Sequence, residues 1–194
     1  MRSTTTVWMM LAAAGLLAGC AEEGKVISPG GRPGEFALRV NCGDLNPYVD
    51  PDGLKWKADQ IFVGLSDWGA IGGQVVTRDE DLVIEGTKAQ RLYKTERWAA
   101  SGYFFTLPNG DYTVRLHFAE TFPDHKQEGK RIFTVKLNGK TVLKKFDVFK
   151  EAGGFAKPVV KQFKSIPVTG RSLEIDFVPV LQGPVINAIE ILRQ

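Results

Sequence analysis

YTVRLHFA, residues 112–119, places a large apolar side chain at every second position. In a β-strand these side chains share one face, and they are Tyr112, Val114, Leu116 and Phe118. Farther along, residues 132–137 and 141–148 flank Asn138-Gly139, a dipeptide that strongly favours a two-residue hairpin turn. Together these segments predict antiparallel strands with one face on an apolar core.

Short apolar runs separated by turn residues continue on both sides of this region. The runs predict strands at residues 36–40, 82–84, 91–94, 103–105, 159–163, 173–178 and 186–192. Segments rich in turn residues predict loops at residues 44–53, 64–73 and 108–111. No long segment has helical periodicity, so we expect any helix to be a single turn near Ala58 or Lys150. Many short strands without interleaved helices predict an all-β sandwich.

The N-terminus resembles a bacterial lipoprotein signal. Arg2 precedes an uncharged apolar stretch at residues 7–17, which is shorter than the roughly 20 residues that span a bilayer. The stretch ends in Leu17-Ala18-Gly19-Cys20, which is similar to a lipobox, where the cysteine is acylated and becomes the first mature residue. The alternative is an ordinary secretory peptide with an incidental cysteine.

This signal divides the chain into three parts. Residues 1–19 are expected to be the signal peptide, and residues 20–35 a lipidated Cys20 with a flexible tether rich in glycine, proline and charge. The lipid, palmitate among its acyl chains, would anchor the protein to a membrane, and Ala21 after the cysteine favours the outer membrane over the inner one. The remaining residues 36–194 are long enough for one domain with its own core.

Composition narrows the function classes. The 25 basic and 22 acidic residues give a net charge of +3 and are scattered, so no nucleic-acid partner is expected. Because Cys20 is assigned to the lipid, Cys42 has no partner within the chain, and core packing is expected to replace disulfides. Cys42 lies in an alternating segment and is predicted to be a small buried residue, with a reactive thiol as the alternative.

No set of catalytic residues emerges from the sequence. The two histidines, His117 and His125, do not have the spacing of a metal-binding pair. Neither a Gly-x-Ser-x-Gly turn nor a phosphate-binding Gly-x-x-x-x-Gly-Lys loop occurs. One loop could bind calcium or simply favour turns through Asp44, Asn46, Asp50 and Asp52. The sequence therefore predicts a protein that is not an enzyme and that has no cofactor.

Large aromatic side chains lie in predicted loops or at predicted strand ends. Trp68 lies in a glycine-rich segment, Trp98 follows Glu96-Arg97, and Phe122 comes just after the strand at residues 112–119. Any one of them could belong to the core. The apolar C–H faces of a pyranose stack on aromatic rings, so three such residues favour a carbohydrate site.

Several motifs, in order along the chain, resemble the malectin domain family. They are residues 40–43 (VNCG), 66–69 (SDWG), 92–97 (LYKTER), 110–120 (GDYTVRLHFAE), 133–139 (FTVKLNG), 146–149 (FDVF) and 184–191 (PVINAIEI). The resemblance extends from about Leu38 to Leu192. It implies a jelly-roll-like β-sandwich of the galactose-binding-domain type that has no catalytic activity and binds carbohydrate through loops at one end.

The resemblance also implies ligand contacts at particular positions. These positions are Asp67, Trp68, Trp98, Thr121, Phe122 and Gln182. Thr121 replaces one of two aromatic residues of the family motif, and Gln182 stands near a position that the family fills with a carboxylate.

Charged residues beside these positions are interpreted as buried structural groups. They are Glu96, Arg97 and Glu120, which we expect to be paired or hydrogen-bonded because unpaired charges are costly to bury. The first functional hypothesis is non-catalytic binding of an oligosaccharide or polysaccharide by a membrane-anchored lipoprotein. The alternative is a structural or protein-interaction module on the same fold with a degenerate sugar site.

Overall fold

Alternating apolar side chains build two β-sheets in the computed structural model, which describes residues 36–194. Sheet I has the strand order β2-β3-β1-β12-β6-β9. Its strands are β1 (Ala37–Asn41), β2 (Tyr48–Val49), β3 (Lys55–Ala58), β6 (Gly110–Ala119), β9 (Pro158–Val168) and β12 (Ala188–Arg193). All its pairings are antiparallel except that between β1 and β3.

Sheet II faces sheet I and has β5 at its centre. Its strands are β4 (Trp68–Thr77), β5 (Thr95–Thr106), β7 (Ile132–Leu137), β8 (Lys140–Asp147), β10 (Ser172–Leu181) and β11 (Val185–Ile186). β4 pairs with β5 along nearly its whole length, whereas β10 and β11 pair with separate parts of β5, and β7 and β8 follow β10. The predicted all-β sandwich is confirmed.

The core lies between the two sheets. Tyr112, Val114, Leu116 and Phe118 of β6 are fully buried, as their spacing predicts. Opposite them, sheet II contributes aromatic and branched side chains that include Tyr103, Phe105, Phe133, Ile175 and Phe177. The hairpin at Asn138-Gly139 has positive φ angles of 48° and 75°, as the asparagine-glycine pair predicts.

A second apolar layer covers the outer face of sheet I. It is a smaller cluster formed by Trp56, Ile84, Leu92, Tyr93, Ala119, Ala156 and Ala188. His117 lies under this layer, with Nδ1 2.9 Å from the Tyr93 hydroxyl and Nε2 3.1 Å from Glu190. The face of β6 that carries Thr113 and His117 is therefore buried as well.

Short helices and turns complete the description. The helices are α1 (Gln90–Lys94) and α2 (Val148–Ala152), and a 3₁₀ turn spans Pro123–His125. The helix predicted near Lys150 is confirmed as α2, which Asp147 caps by accepting a hydrogen bond from Lys150 N. Among residues 36–194, no helix is long and apolar enough to cross a membrane.

Three local predictions are wrong. Residues near Ala58 form β3 and not a helical turn, residues 91–94 belong to α1 and not to a strand, and residues 82–84 form no regular secondary structure. Each segment contributes side chains to the second apolar layer, and packing there overrides local preference.

The glycine-rich segment at residues 64–73, predicted as a loop, contains the first half of β4. Its glycines serve the strand itself. A Cβ atom on Gly69 would lie 2.3 Å from Phe62 N, and Gly72, with φ of +71°, lies at the bulge in the pairing of β4 with β5. Glycine here permits close backbone approach and a bulge, and does not mark the end of a strand.

Two further predictions concern the cysteines and the N-terminus. Cys42 is fully buried and is the one cysteine among residues 36–194, and burial raises its thiol pKa well above the usual value. The predicted buried role is confirmed. The signal peptide, Cys20 and the tether lie outside the described residues.

Candidate functional site

A cleft of about 700 Å³ opens at one end of the sandwich. Five segments line it: β4, β5, the segment after β6, the segment before β7, and the loop after β10. The volume lies in the range typical of small-molecule sites, about 300–1,000 Å³.

Strand pairing places the wall formed by β4 and β5. Gln74 lies opposite Trp98, and Val76 lies opposite Glu96. Since alternate residues of a strand share a face, all four side chains point to the same side of sheet II. Trp98 is half-buried and packs closely against the next loop, because a Cβ atom on Gly183 would lie 2.7 Å from Trp98 Nε1.

Apolar surface continues across the cleft on Phe122 and Leu181. Phe122 is 37% exposed and Leu181 is 46% exposed. The guanidinium of Arg78 lies 5.7 Å from the centre of the Phe122 ring, and the His125 ring meets Phe122 edge to face at 4.9 Å. Exposed rings and methyl groups flanked by polar groups form a surface suited to an amphipathic ligand.

One buried ion pair lies beneath the cleft. Arg78 Nη2 is 2.6 Å from Glu96 Oε1, and Arg78 Nε donates to Thr121 Oγ1 at 2.9 Å. Thr121 Oγ1 in turn donates to Glu96 Oε2 at 2.8 Å. Burial raises the pKa of Glu96, and the positive charge of Arg78 opposes this effect. Both oxygens of the carboxylate are thus engaged by protein groups.

A second buried ion pair joins two of the segments that line the cleft. Arg131 Nε donates to Glu120 Oε2 at 2.7 Å, and Arg131 Nη1 donates to the carbonyl oxygen of Gly183. Glu120 Oε1 accepts from Phe122 N at 3.0 Å. Arg131 therefore links the segment that carries Phe122 to the loop that carries Gln182.

The interpretation of three charged residues as buried structural groups agrees with these contacts. Glu96 and Glu120 form the two pairs just described. Arg97, on the opposite face of β5, pairs with Asp59 at 2.8 Å between Nη2 and Oδ2, and Tyr103 also donates to Asp59. All three charges have partners, as the cost of burying a lone charge requires.

The predicted site residues are only partly brought together. Trp98, Phe122 and Gln182 line the cleft, and Thr121, only 1% exposed, lies behind its wall. Asp67 and Trp68 do not line it. Gln182 lies in the loop after β10 and has a φ of +62°, an uncommon backbone conformation for a residue other than glycine.

We correct the placement of Trp68. It begins β4 opposite Phe105, stacks on that ring at 6.1 Å, and is 9% exposed within the main core. Trp98 lies seven positions away along β5, which corresponds to roughly 20 Å. Trp68 and the exposed Asp67 beside it therefore lie at the end of the strand pair opposite to the cleft.

The loop that could have bound calcium uses its carboxylates within the fold. Asp44 accepts from Asn46 N and Arg91, and Asp50 accepts from Leu54 N and the Trp56 indole. Residues 36–194 contain no group of three His, Cys, Asp or Glu side chains placed to hold a metal ion. Turn formation and capping account for this acidic loop.

Several residues that line the cleft were not predicted as site residues. They are Gln74, Val76, Arg78, Asp124, His125, Lys130, Arg131 and Leu181. The alternation of Gln74, Val76 and Arg78 is visible in the sequence and could have indicated one face of a strand. This alternation was missed because the glycine-rich segment that precedes it, which includes the pair at residues 72–73, was predicted as a loop.

Comparison with known proteins identifies a family match. The model of the malectin domain matches residues 36–190. A probable leucine-rich-repeat receptor-like kinase of Arabidopsis thaliana, At1g29720, is 45% identical over 156 residues, covering 73% of this chain and 15% of that protein. Malectin-B of Xenopus laevis is 31% identical over 120 residues, covering 59% of this chain and 40% of its own length.

Among solved structures, β-glucuronidase of Bacteroides uniformis contains a similar domain. It superposes with a TM-score of 0.73 and 26% identity, covering 82% of this chain and 18% of the enzyme. The chain spans between 15% and 27% of the first curated relatives that it matches. The similarity is therefore to one domain of much longer proteins.

Proposed function

The chain belongs to the malectin domain family, a family of ligand-binding modules, and we propose that it binds a neutral oligosaccharide or polysaccharide in the cleft beside Trp98 without catalysing a reaction. The observation that carries this proposal is the juxtaposition of Trp98, Phe122 and Leu181 with amide and imidazole groups in one cleft. Sugars present apolar C–H faces and hydroxyl groups, and this surface offers partners for both.

The charges of the cleft favour a neutral ligand. Arg78 is paired with Glu96 and Arg131 with Glu120, so each buried charge is already compensated. Of the other charged residues that line the cleft, Lys130 is positive and Asp124 negative, and both are exposed. With no surplus of either sign, the cleft does not attract an ion, and binding should depend little on salt.

Gln182 supports the same proposal. It stands near the position where the family resemblance implies a carboxylate, and its amide can both donate to and accept from a hydroxyl. An amide keeps the hydrogen-bonding capacity of the rim without adding charge. The ligand is therefore expected to differ from that of family members with an acidic residue there.

A glycan array probed with the purified protein tests the proposal, followed by calorimetry on the strongest hit. Trp98→Ala should weaken binding by about tenfold or more, because a stacked aromatic anchor is lost. Phe62→Ala is the matched control, since Phe62 is also a half-buried aromatic but packs on Phe104 outside the cleft. Equal effects of the two variants would contradict the assignment of the site.

One observation favours a second candidate function, a protein-interaction module. Thr121 is buried where the resemblance implies an exposed aromatic ring, so one stacking surface is lacking. If this function is the correct one, no sugar on the array binds, and Trp98→Ala has no glycan affinity to change.

For the N-terminus we propose that Cys20 carries a lipid that anchors the protein to a membrane, most simply the outer membrane. The support is Leu17-Ala18-Gly19-Cys20 after an apolar stretch of signal-peptide length, with Ala21 following. Metabolic labelling with a fatty acid should mark the wild type, and Cys20→Ala should accumulate as unlabelled precursor. An unlabelled wild type would refute the anchor.

A further inference from the structure

His125 lies in the wall of the cleft and is 8% exposed. It ends the 3₁₀ turn that follows Phe122, and its backbone N–H donates to Phe122 O at 2.9 Å. The imidazole meets the Phe122 ring edge to face, with an interplanar angle of 82°. Backbone and ring contacts therefore both fix the side chain beside the apolar surface proposed to stack on a sugar.

The Nδ1 atom of His125 is exceptional. It is the only buried side-chain nitrogen or oxygen among residues 36–194 that has no hydrogen-bond partner. The carboxylate oxygen Glu120 Oε2 lies 3.6 Å from it, and that carboxylate is bound by Arg131. An ionised carboxylate facing one ring nitrogen favours the tautomer that carries its proton on that nitrogen. Nδ1 is therefore the protonated nitrogen.

The charged groups around His125 keep the ring neutral. Burial lowers its pKa below 6.5, and the positive charge of Arg131 lowers it further, while Glu120 and Asp124 act in the opposite direction. Lys130, which also lines the cleft, adds positive charge on the same side. In the neutral ring with a proton on Nδ1, Nε2 has a free lone pair, and it has no hydrogen-bond partner among the described residues.

We infer that His125 determines specificity in the cleft by accepting a hydrogen bond at Nε2 from a sugar hydroxyl next to the ring stacked on Phe122 or Trp98. This inference rests on the proposed function. Each oxygen of the two buried carboxylates already accepts a hydrogen bond from a protein group: Glu96 from Arg78 and Thr121, and Glu120 from Arg131 and Phe122 N. Nε2 of His125, in contrast, accepts none among the described residues. His125 supplies the acceptor without adding a charge.

The first experiment needs no ligand. Nitrogen-15 NMR of the imidazole rings in the purified protein distinguishes the two neutral tautomers, and His125→Gln identifies the signal of His125 by its loss. A protonated Nδ1 with an unprotonated Nε2 at pH 7 is expected. A protonated Nε2 would overturn the inference.

The second experiment uses an array of neutral gluco-, galacto- and manno-oligosaccharides. His125→Phe keeps a ring against Phe122 but has no acceptor, and it should weaken binding to the strongest hit by about tenfold. His125→Gln can still accept a hydrogen bond and should retain most of the affinity. Glu128→Gln, a change at an exposed acceptor in the same loop that does not line the cleft, is the control and should have no effect.

Acidification supplies a further readout. Protonation turns both ring nitrogens into donors, so the affinity of the wild type should fall as the pH is lowered through the His125 pKa, which lies below 6.5, whereas that of His125→Gln should change less. If a sugar binds and His125→Phe binds it equally well, the inference fails and the proposed function stands. If no sugar on the array binds to the wild type, both are overturned.

Discussion

Replacing Glu190 by glutamine tests how the outer layer of sheet I is held. Glu190 is 4% exposed on β12, where Arg39 Nε donates to Oε2 at 2.8 Å and His117 Nε2 lies 3.1 Å from Oε1. Burial raises the pKa of this carboxyl group, but the hydrogen bonds and charges of His117 and Arg39 outweigh burial and lower its pKa from 4.5 to about 2. The ionised form is therefore favoured by folding.

The lowered pKa of Glu190 sets how much this carboxylate contributes to the free energy of unfolding. A fall from 4.5 to about 2 corresponds to about 3 kcal/mol of stability that is present above the unfolded-state value of 4.5 and disappears as the pH falls through 2. About 3 kcal/mol of it should remain at pH 5 and about 1 kcal/mol at pH 3. Glu190→Gln removes this pH-dependent stabilisation and leaves Arg39 buried without its charge partner.

Urea unfolding followed by tryptophan fluorescence measures the effect at both pH values. The difference in unfolding free energy between wild type and Glu190→Gln should be about 3–5 kcal/mol at pH 5 and smaller by about 2 kcal/mol at pH 3. A difference that stays constant with pH would show that Glu190 acts through packing alone.

Three other substitutions test local features of the fold, each by its free energy of unfolding. Cys42→Ser should cost about 1–3 kcal/mol, because a hydroxyl would replace a fully buried thiol that lies 4.0 Å from Val40 O. A reducing agent should leave the wild-type Tm unchanged. Trp68→Ala should cost about 3–5 kcal/mol as a core truncation, without altering the glycan affinity of the folded fraction. Gly73→Ala should lower the free energy of unfolding more than Gly53→Ala does, although both glycines have positive φ. A Cβ atom at Gly73 would lie 2.7 Å from Ala100 N, whereas nothing lies within 4 Å of one at Gly53.

Local patterns were sufficient for much of the sandwich. The period of two in residues 112–119 and the asparagine-glycine turn are each encoded by adjacent residues, and β6, β7 and β8 follow them. The segments that form the second apolar layer, namely β3, α1 and residues 82–89, were not predictable in this way. Its conformation depends on Trp56, Leu92 and Tyr93 packing over sheet I, which neighbouring residues do not encode.

The candidate site was predicted less completely, because it depends on register. Trp98 and Phe122 were singled out as loop aromatics, and the structure places both at the cleft. Trp68 was singled out on the same grounds but occupies the core, since pairing with Phe105 carries it to the far end of β5. Nothing in the sequence around His125 indicates an unpartnered Nδ1, because that depends on where the fold places Glu120, which Arg131 binds.

The way Arg131 is bonded bears on how the cleft would bind a ligand. Its guanidinium connects Glu120, next to Phe122, with the carbonyl of Gly183, which packs on Trp98 and adjoins Gln182. These contacts join opposite walls of the cleft through a buried side chain, so the aromatic and amide groups are positioned before any ligand arrives. Preorganisation of this kind reduces the entropy lost on binding. A weak, shallow contact with a sugar can therefore still be selective, because the ligand must fit a surface that is already set.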